Sequence, residues 1–140
     1  MAITDFQRNR IANREFGREA GNNPPSAYFI ALSTTTPTVA GAGFTEPQFS
    51  GYARVSVDNN KTTGFENANN GVVRNISSRS FPDSTAPQGT MTHWGIFDTA
   101  SGGNLLYFGA LSEPLVIAAG SRVIIDAGAL QFEVGNLPNV

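Results

Sequence analysis

The chain has 140 residues and a mass of 14.8 kDa, which sets it at one domain, alone or with a short appendage. It contains no cysteine, so disulfides, thiolate metal sites, thiol nucleophiles and iron–sulfur clusters are excluded. Charged residues are only 14% and the formal net charge is −2, which leaves no field for capturing nucleic acid or anionic lipid.

From the N-terminus, Thr4-Asp5-Phe6-Gln7 fits a capping box, with the Thr4 hydroxyl taking the Gln7 N–H and the Gln7 side chain returning to that of Thr4. This predicts a helix over Asp5 to Phe16, closed by Gly17 or Gly21, with Phe6, Ile11 and Phe16 as the apolar stripe to be covered. Arg8, Arg10, Arg14 and Arg18 crowd the same segment. They read either as a solvated, salt-bridged face or as a binding surface. Asp5 stands where a signal peptide would carry its basic and apolar segments, and no later run has the roughly 20 apolar residues that cross a bilayer. The chain is therefore expected to stay soluble, with no membrane partner.

Asn22-Asn23-Pro24-Pro25 stops any helix, and beyond it the period changes to two. The expected organisation is an N-terminal helical arm over 1–21 and a β-sandwich domain over 22–140. Ala27–Leu32 is a compact apolar run, read as a buried strand. Ser33–Gly51 is a long Thr/Pro/Gly loop. Tyr52–Val57 alternates as a half-exposed strand, with Tyr52, Arg54 and Ser56 on one face. Asp58–Gly71 is Asn-rich and reads as an exposed loop. Val72–Ser77 resumes a strand. Met91–Asp98 and Asn104–Leu111 flank Thr99–Gly103, whose Ser101-Gly102-Gly103 predicts a tight hairpin. Leu115–Ile117, Ala119-Gly120-Ser121 and Arg122–Ile125 predict a second hairpin. Leu130–Val134 is a last alternating strand, before a frayed tail over Gly135–Val140. Seven or eight short strands predict a mostly β fold, an antiparallel sandwich of jelly-roll type with a helical arm.

Catalysis is hard to assemble from these residues. The one histidine, His93, lies in an apolar strand beside Trp94 and reads as a core-margin residue rather than a general base. Asp98, Glu113, Asp126 and Glu133 share no motif, and Asp98 is better placed to initiate its turn. No phosphate loop, dinucleotide fingerprint or nucleophile elbow is present. The chain is therefore read as a non-enzyme with no metal and no cofactor. Asn60-Lys61-Thr62 and Asn75-Ile76-Ser77 match the glycosylation triplet by chance. The loop aromatics Phe44, Phe49, Tyr52 and Phe65 are the remaining lead: they anchor an interface, stack on sugar rings, or fold back onto the sandwich. With Lys61 the one lysine, the charge-poor surface fits either an oligomer or a small β protein coated in Asn, Thr and Ser.

The order of segments resembles a family of small bacteriophage virion proteins catalogued as tail-fibre proteins, some of which decorate or cement the capsid exterior. The residues that carry it are the helix with Phe16, Pro25–Thr34, Ser50–Arg54, Gly89–Leu106, Gly109–Leu111, Ala119-Gly120 and Ala127–Leu130. The Thr-His-Trp-Gly-Ile-Phe-Asp stretch at Thr92–Asp98, with its Gly-Gly-Asn hairpin, is the strongest piece. The Arg-rich, Asn-Pro-Pro-ended helix departs from the plainer apolar version of the family. The resemblance implies a sandwich without catalysis that self-associates, plausibly as a homotrimer, through its arm and loops. The leading expectation is a capsid decoration (cement) protein on the capsid exterior of the virion, assembled in the host cytoplasm. Its partner would be the major capsid protein, bound by Arg8, Arg10, Arg14 and Arg18 and by Phe6, Ile11 and Phe16. The alternative is a tail-fibre or receptor-binding module whose Asn-rich loops and Phe44, Tyr52 or Phe65 recognise a host glycan.

Overall fold

The computed structural model describes residues 1–18 and 20–133. The tail expected to fray over Gly135–Val140 lies outside them, as does Val134 of the last predicted strand. The elements in chain order are β1 (Ala2–Ile3), α1 (Asp5–Glu15), β2 (Ala27–Ser33), β3 (Val55–Asp58), β4 (Val72–Arg74), β5 (Arg79–Ser80), β6 (Gly89–Phe97), β7 (Leu105–Ile117), β8 (Ile124–Ile125) and β9 (Gln131–Glu133). The fold is mostly β and antiparallel. A five-stranded sheet runs β1-β7-β6-β2-β3, and β4-β9 and β5-β8 form two separate ribbons.

The apolar run of β2 is continuous because both faces of that strand are covered. Ile30 and Leu32 point to a core shared with Val57, Met91, Ile96 and Ile117 of the sheet and with Phe65, Phe81 and Leu130 from the ribbon side. Ala31 and Phe29 point the other way, into a smaller cluster with Phe97, Leu105, Phe108 and Phe44. Phe44 is delivered to that second face by the long loop and meets Phe97 edge-on at 5.1 Å. Period-2 alternation thus holds along β2 with apolar residues on both sides.

The predicted first hairpin forms as read. Gly102 and Gly103 take positive φ angles. The Asp98 carboxylate accepts from the Asn104 N–H at 2.7 Å and from the Asn104 side chain at 2.9 Å, closing the turn. The second hairpin does not form. Leu115–Ile117 is instead a continuation of β7, paired with Gly89–Met91 of β6. Between Ala110 and Leu115 β7 advances five positions while β6 advances two, from His93 to Met91, so the excess around Ser112–Pro114 bulges out and both halves stay on one partner. Gly120 does turn the chain, but β8 then pairs with β5.

Strands β3 and β4 are each shorter than their patterns. The Tyr52–Val57 strand begins at Val55, because Tyr52 and Arg54 are drawn to Glu46. The Val72–Ser77 strand ends at Arg74, because Asn75 is buried and wholly engaged. Its amide donates to Ser77 O and Asp126 O, both at 2.9 Å, and its side-chain oxygen accepts from the Leu130 N–H at 2.9 Å. A glycan at this triplet is sterically excluded. Asn60 is likewise engaged, its oxygen accepting from the N–H groups of Thr62, Thr63 and Gly64.

Candidate assembly surface

The helix α1 spans Asp5–Glu15 with Thr4 as its N-cap, the Thr4 hydroxyl accepting from the Gln7 N–H at 3.3 Å. Gly17, at φ +80°, follows its end. The reciprocal half of the capping box is replaced by bonds to the sheet. The Thr4 hydroxyl donates to Leu105 O at 2.7 Å, the Thr4 N–H to Leu106 O at 3.0 Å, and the Gln7 amide to the Tyr107 hydroxyl at 2.7 Å. Together with the pairing of Ala2 and Ile3 against Phe108 and Tyr107, these bonds seat the start of the helix on the β7 edge.

The face that α1 buries is polar. Gln7 is 2% exposed and Arg10 8%, whereas Phe6 is 45%, Ile11 40% and Phe16 81% exposed. The expected apolar stripe is therefore corrected, and helix geometry gives the reason. At 3.6 residues per turn, a spacing of five places successive residues about 140° apart, so Phe6, Ile11 and Phe16 share no face. Thr4, Gln7 and Ile11 do lie on one side, which is docked over its first turns and runs off the sheet at Ile11. What overhangs is the end of the helix, with Ile11, Arg14 and Phe16, followed by Arg18.

The four arginines part company. Arg8 pairs with Asp5 on its own helix. Arg10 is buried, its guanidinium carbon 5.9 Å from the Phe6 ring centre, and among the described residues its Nη2 has no hydrogen-bond partner. Arg14 bonds the Asn23 side chain. Arg14 and Arg18 are exposed.

The loop aromatics fold inward, the last of the three alternatives that the sequence leaves open. Phe49 and Phe65 are buried. Phe49 packs edge-on against Tyr52, and Tyr52 stacks on Phe81. Phe65 packs between Tyr28 and Phe132. The reason is chain length: each loop is long enough to return its ring to the ribbon-side core or, for Phe44, to the second face. Phe65 borders an open cleft of about 410 Å³, shared with Tyr28, Tyr107, Phe132, Asn59 and Asn60.

Two clusters were illegible in the sequence. Arg54 is the hub of the first. Its guanidinium forms a bidentate pair with Glu46 at 3.0 and 2.9 Å and donates to Thr99 O and Gly102 O at 2.9 and 2.8 Å. It also lies 3.6 Å from the centre of the Phe97 ring. The Tyr52 hydroxyl donates to the same carboxylate at 2.9 Å. Burial, with the Glu46 charge beside it, pushes the Tyr52 phenol far up. The long loop and the hairpin turn are thereby tied to one side chain. The second is a groove of about 870 Å³ between the β7 bulge and strands β8 and β9, floored by Trp94, Leu111, Leu115 and Ile124. Glu113, Asp126 and Glu133 all border it, as does the N-terminal Met1, and among the described residues no lysine, arginine or histidine side chain does. Three separate elements supply the carboxylates, so no spacing could announce them. His93, by contrast, bonds its neighbour Thr92 through Nδ1 at 2.8 Å.

Over residues 2–133 the chain matches the family described as podophage GP4 fiber I protein gp80. It belongs to that family. No curated protein matches it. The chain is thus a phage structural protein of fibre type and a component of the virion, as the resemblance implied. Within that family setting, the pieces Ser50–Arg54 and Thr92–Asn104 have a physical meaning: they are the two ends of the Arg54 cluster.

Proposed function

We propose that the protein is a self-associating subunit of a virion fibre, working by adhesion between repeated copies rather than by turnover of a molecule. The observation that carries the reading is the overhanging end of α1. Phe16 is 81% exposed there, on a chain that belongs to a fibre family. An isolated soluble domain gains nothing from holding a phenylalanine in water, whereas a partner surface would desolvate it for roughly 2 to 3 kcal/mol. Symmetric repetition then multiplies a modest contact. In this role the cleft beside Phe65 is where a host sugar would stack.

Decoration of the capsid exterior by contact with the major capsid protein is the second reading. One observation favours it: the charge-poor surface, which suits dense tiling. Immunogold labelling and quantitative mass spectrometry of purified virions separate the two. Label confined to the tail, with at most a few dozen copies per particle, is the expected result; label spread over the shell in hundreds of copies establishes decoration instead. A chain missing from the particles overturns both.

A further inference from the structure

We propose that the cleft beside Phe65 takes a saccharide that bears a carboxylate, with the acid held at the hydroxyls of Tyr28 and Tyr107 against the unpaired charge of Arg10. This rests on the reading of that cleft as a sugar site and names the class of sugar. The starting observation is Arg10, which is 8% exposed. Among the described residues the ion pairs are Asp5–Arg8, Glu46–Arg54, Glu66–Arg74 and Asp83–Arg122, none of which uses Arg10, and its Nη2 has no hydrogen-bond partner. A buried cation without a counter-ion weakens the fold, so an anion that approaches it gains more than one at an exposed arginine.

The charge reaches the cleft through two phenols. Tyr28 and Tyr107 both line it. Burial raises the ionisation of each, and the Arg10 charge opposes that rise at both, which sets the guanidinium within electrostatic reach of the two hydroxyls. The Gln7 amide donates to the Tyr107 hydroxyl at 2.7 Å, so the phenol's own proton is left to donate elsewhere. Two hydroxyl donors backed by a cation suit a carboxylate. Lys61, the one lysine, lies on the rim and adds a second positive charge. Of the two rim carboxylates, Glu66 is paired with Arg74 at 3.3 Å, and Glu133 is shared with the groove beside the β7 bulge. The rest of the lining selects the body of the ligand. Phe65 and Phe132 supply an apolar wall for a pyranose ring, and Asn59, whose amide nitrogen donates to Pro25 O at 2.9 Å, keeps its oxygen for a sugar hydroxyl. The cleft volume of about 410 Å³ falls within the roughly 300–1,000 Å³ of small-ligand sites. A lone acidic side chain from a protein would leave those surfaces uncovered.

The test is an NMR chemical-shift titration of the full chain with methyl glucuronide and methyl glucoside, which differ only in a carboxylate in place of a hydroxymethyl group. The glucuronide is expected to bind at least about tenfold tighter and to shift the ring signals of Tyr28 and Tyr107. Arg10→Gln, checked by circular dichroism for an intact β signal, is expected to bring the ratio of the two affinities close to one. Tyr28→Phe keeps the ring and its packing, and is expected to lower the same ratio through loss of one donor. A preference for the glucuronide that survives both variants overturns the inference. Equal binding of the two glycosides to the wild type overturns it as well, and leaves a neutral-sugar site standing. Acetate that binds as tightly as the glucuronide makes this an anion site without a sugar, which also overturns it. If neither glycoside binds at roughly 50 mM, well above a millimolar contact, the inference falls together with the sugar reading of the cleft. None of these results touches the virion reading, which falls only if purified particles lack the chain.

Discussion

Arg54 shows how one side chain can hold two distant loops. Its side chain is 6% exposed, Glu46 is 25% exposed, and the four bonds of the guanidinium satisfy both the carboxylate and two turn carbonyls. Arg54→Met leaves Glu46 half-buried and unpaired, and is expected to cost about 3 kcal/mol in denaturant unfolding, since Glu46 retains some access to water. Lys in its place restores the charge but not the fork, and is expected to recover less than half of that loss. The tyrosines make a second prediction. Burial pushes the phenols of Tyr28, Tyr52 and Tyr107 above the usual value of 10.0. A phenol whose ionisation is raised by folding favours the fold fully below pH 10 and loses that contribution as pH climbs toward the folded value. Stability should therefore decline above pH 10, and phenolate absorbance should rise together with loss of the β signal. Three tyrosines titrating freely near 10 in the folded chain would contradict the packing. At this scale the sequence showed which residues were unusual but not what they touch. Gly95 and Gly109 sit in strands where glycine is costly, and only the fold reveals that Phe44 lies against one and Trp94 against the other.

Among elements, periodicity was a good guide wherever the physics was local. The β2 run, the β6–β7 hairpin with its glycine turn and the start of α1 were all legible, because composition and capping act over a few residues. It failed where long-range pairing decided. The Ala119-Gly120-Ser121 turn is real, yet nothing in it says that β8 will choose β5 over the strand just before it. The helix departs from its pattern for a related reason: large apolar residues at five-residue spacing cannot make one stripe. Its true anchor is polar. Thr4→Ala removes the N-cap acceptor and the bond to Leu105 O together, and is expected to cost about 2 kcal/mol by thermal or denaturant unfolding. Deleting residues 1–21 removes β1 and these bonds as well, so the truncated chain should keep a β-type circular dichroism spectrum while melting earlier. Retention of the full unfolding midpoint would make the whole segment an accessory to the rest of the β fold.

For the whole molecule, the net charge of −2 hides a division. Four of the nine basic residues fall between Arg8 and Arg18, with Asp5, Glu15 and Glu19 interleaved to offset three of them, while Glu113, Asp126 and Glu133 gather at one groove far along the chain. Self-association of the proposed subunit through ion pairs should weaken as salt shortens the screening length from about 10 Å at 0.1 M to about 3 Å at 1 M. The sedimentation coefficient of the assembly is therefore expected to fall over that range; an increase would indicate that apolar burial alone drives association.

The seating of α1 has one more consequence. The hydroxyl of Thr4 reaches a carbonyl 101 residues later in the chain, so this union waits until most of the polypeptide has left the ribosome, and closing so large a loop is slow. Until Leu105 and Leu106 have emerged, the N-terminal segment has no fixed bearing on the rest of the molecule. Its seating is thus timed by topology: the first element to be synthesised must wait for a strand made much later before it finds its place.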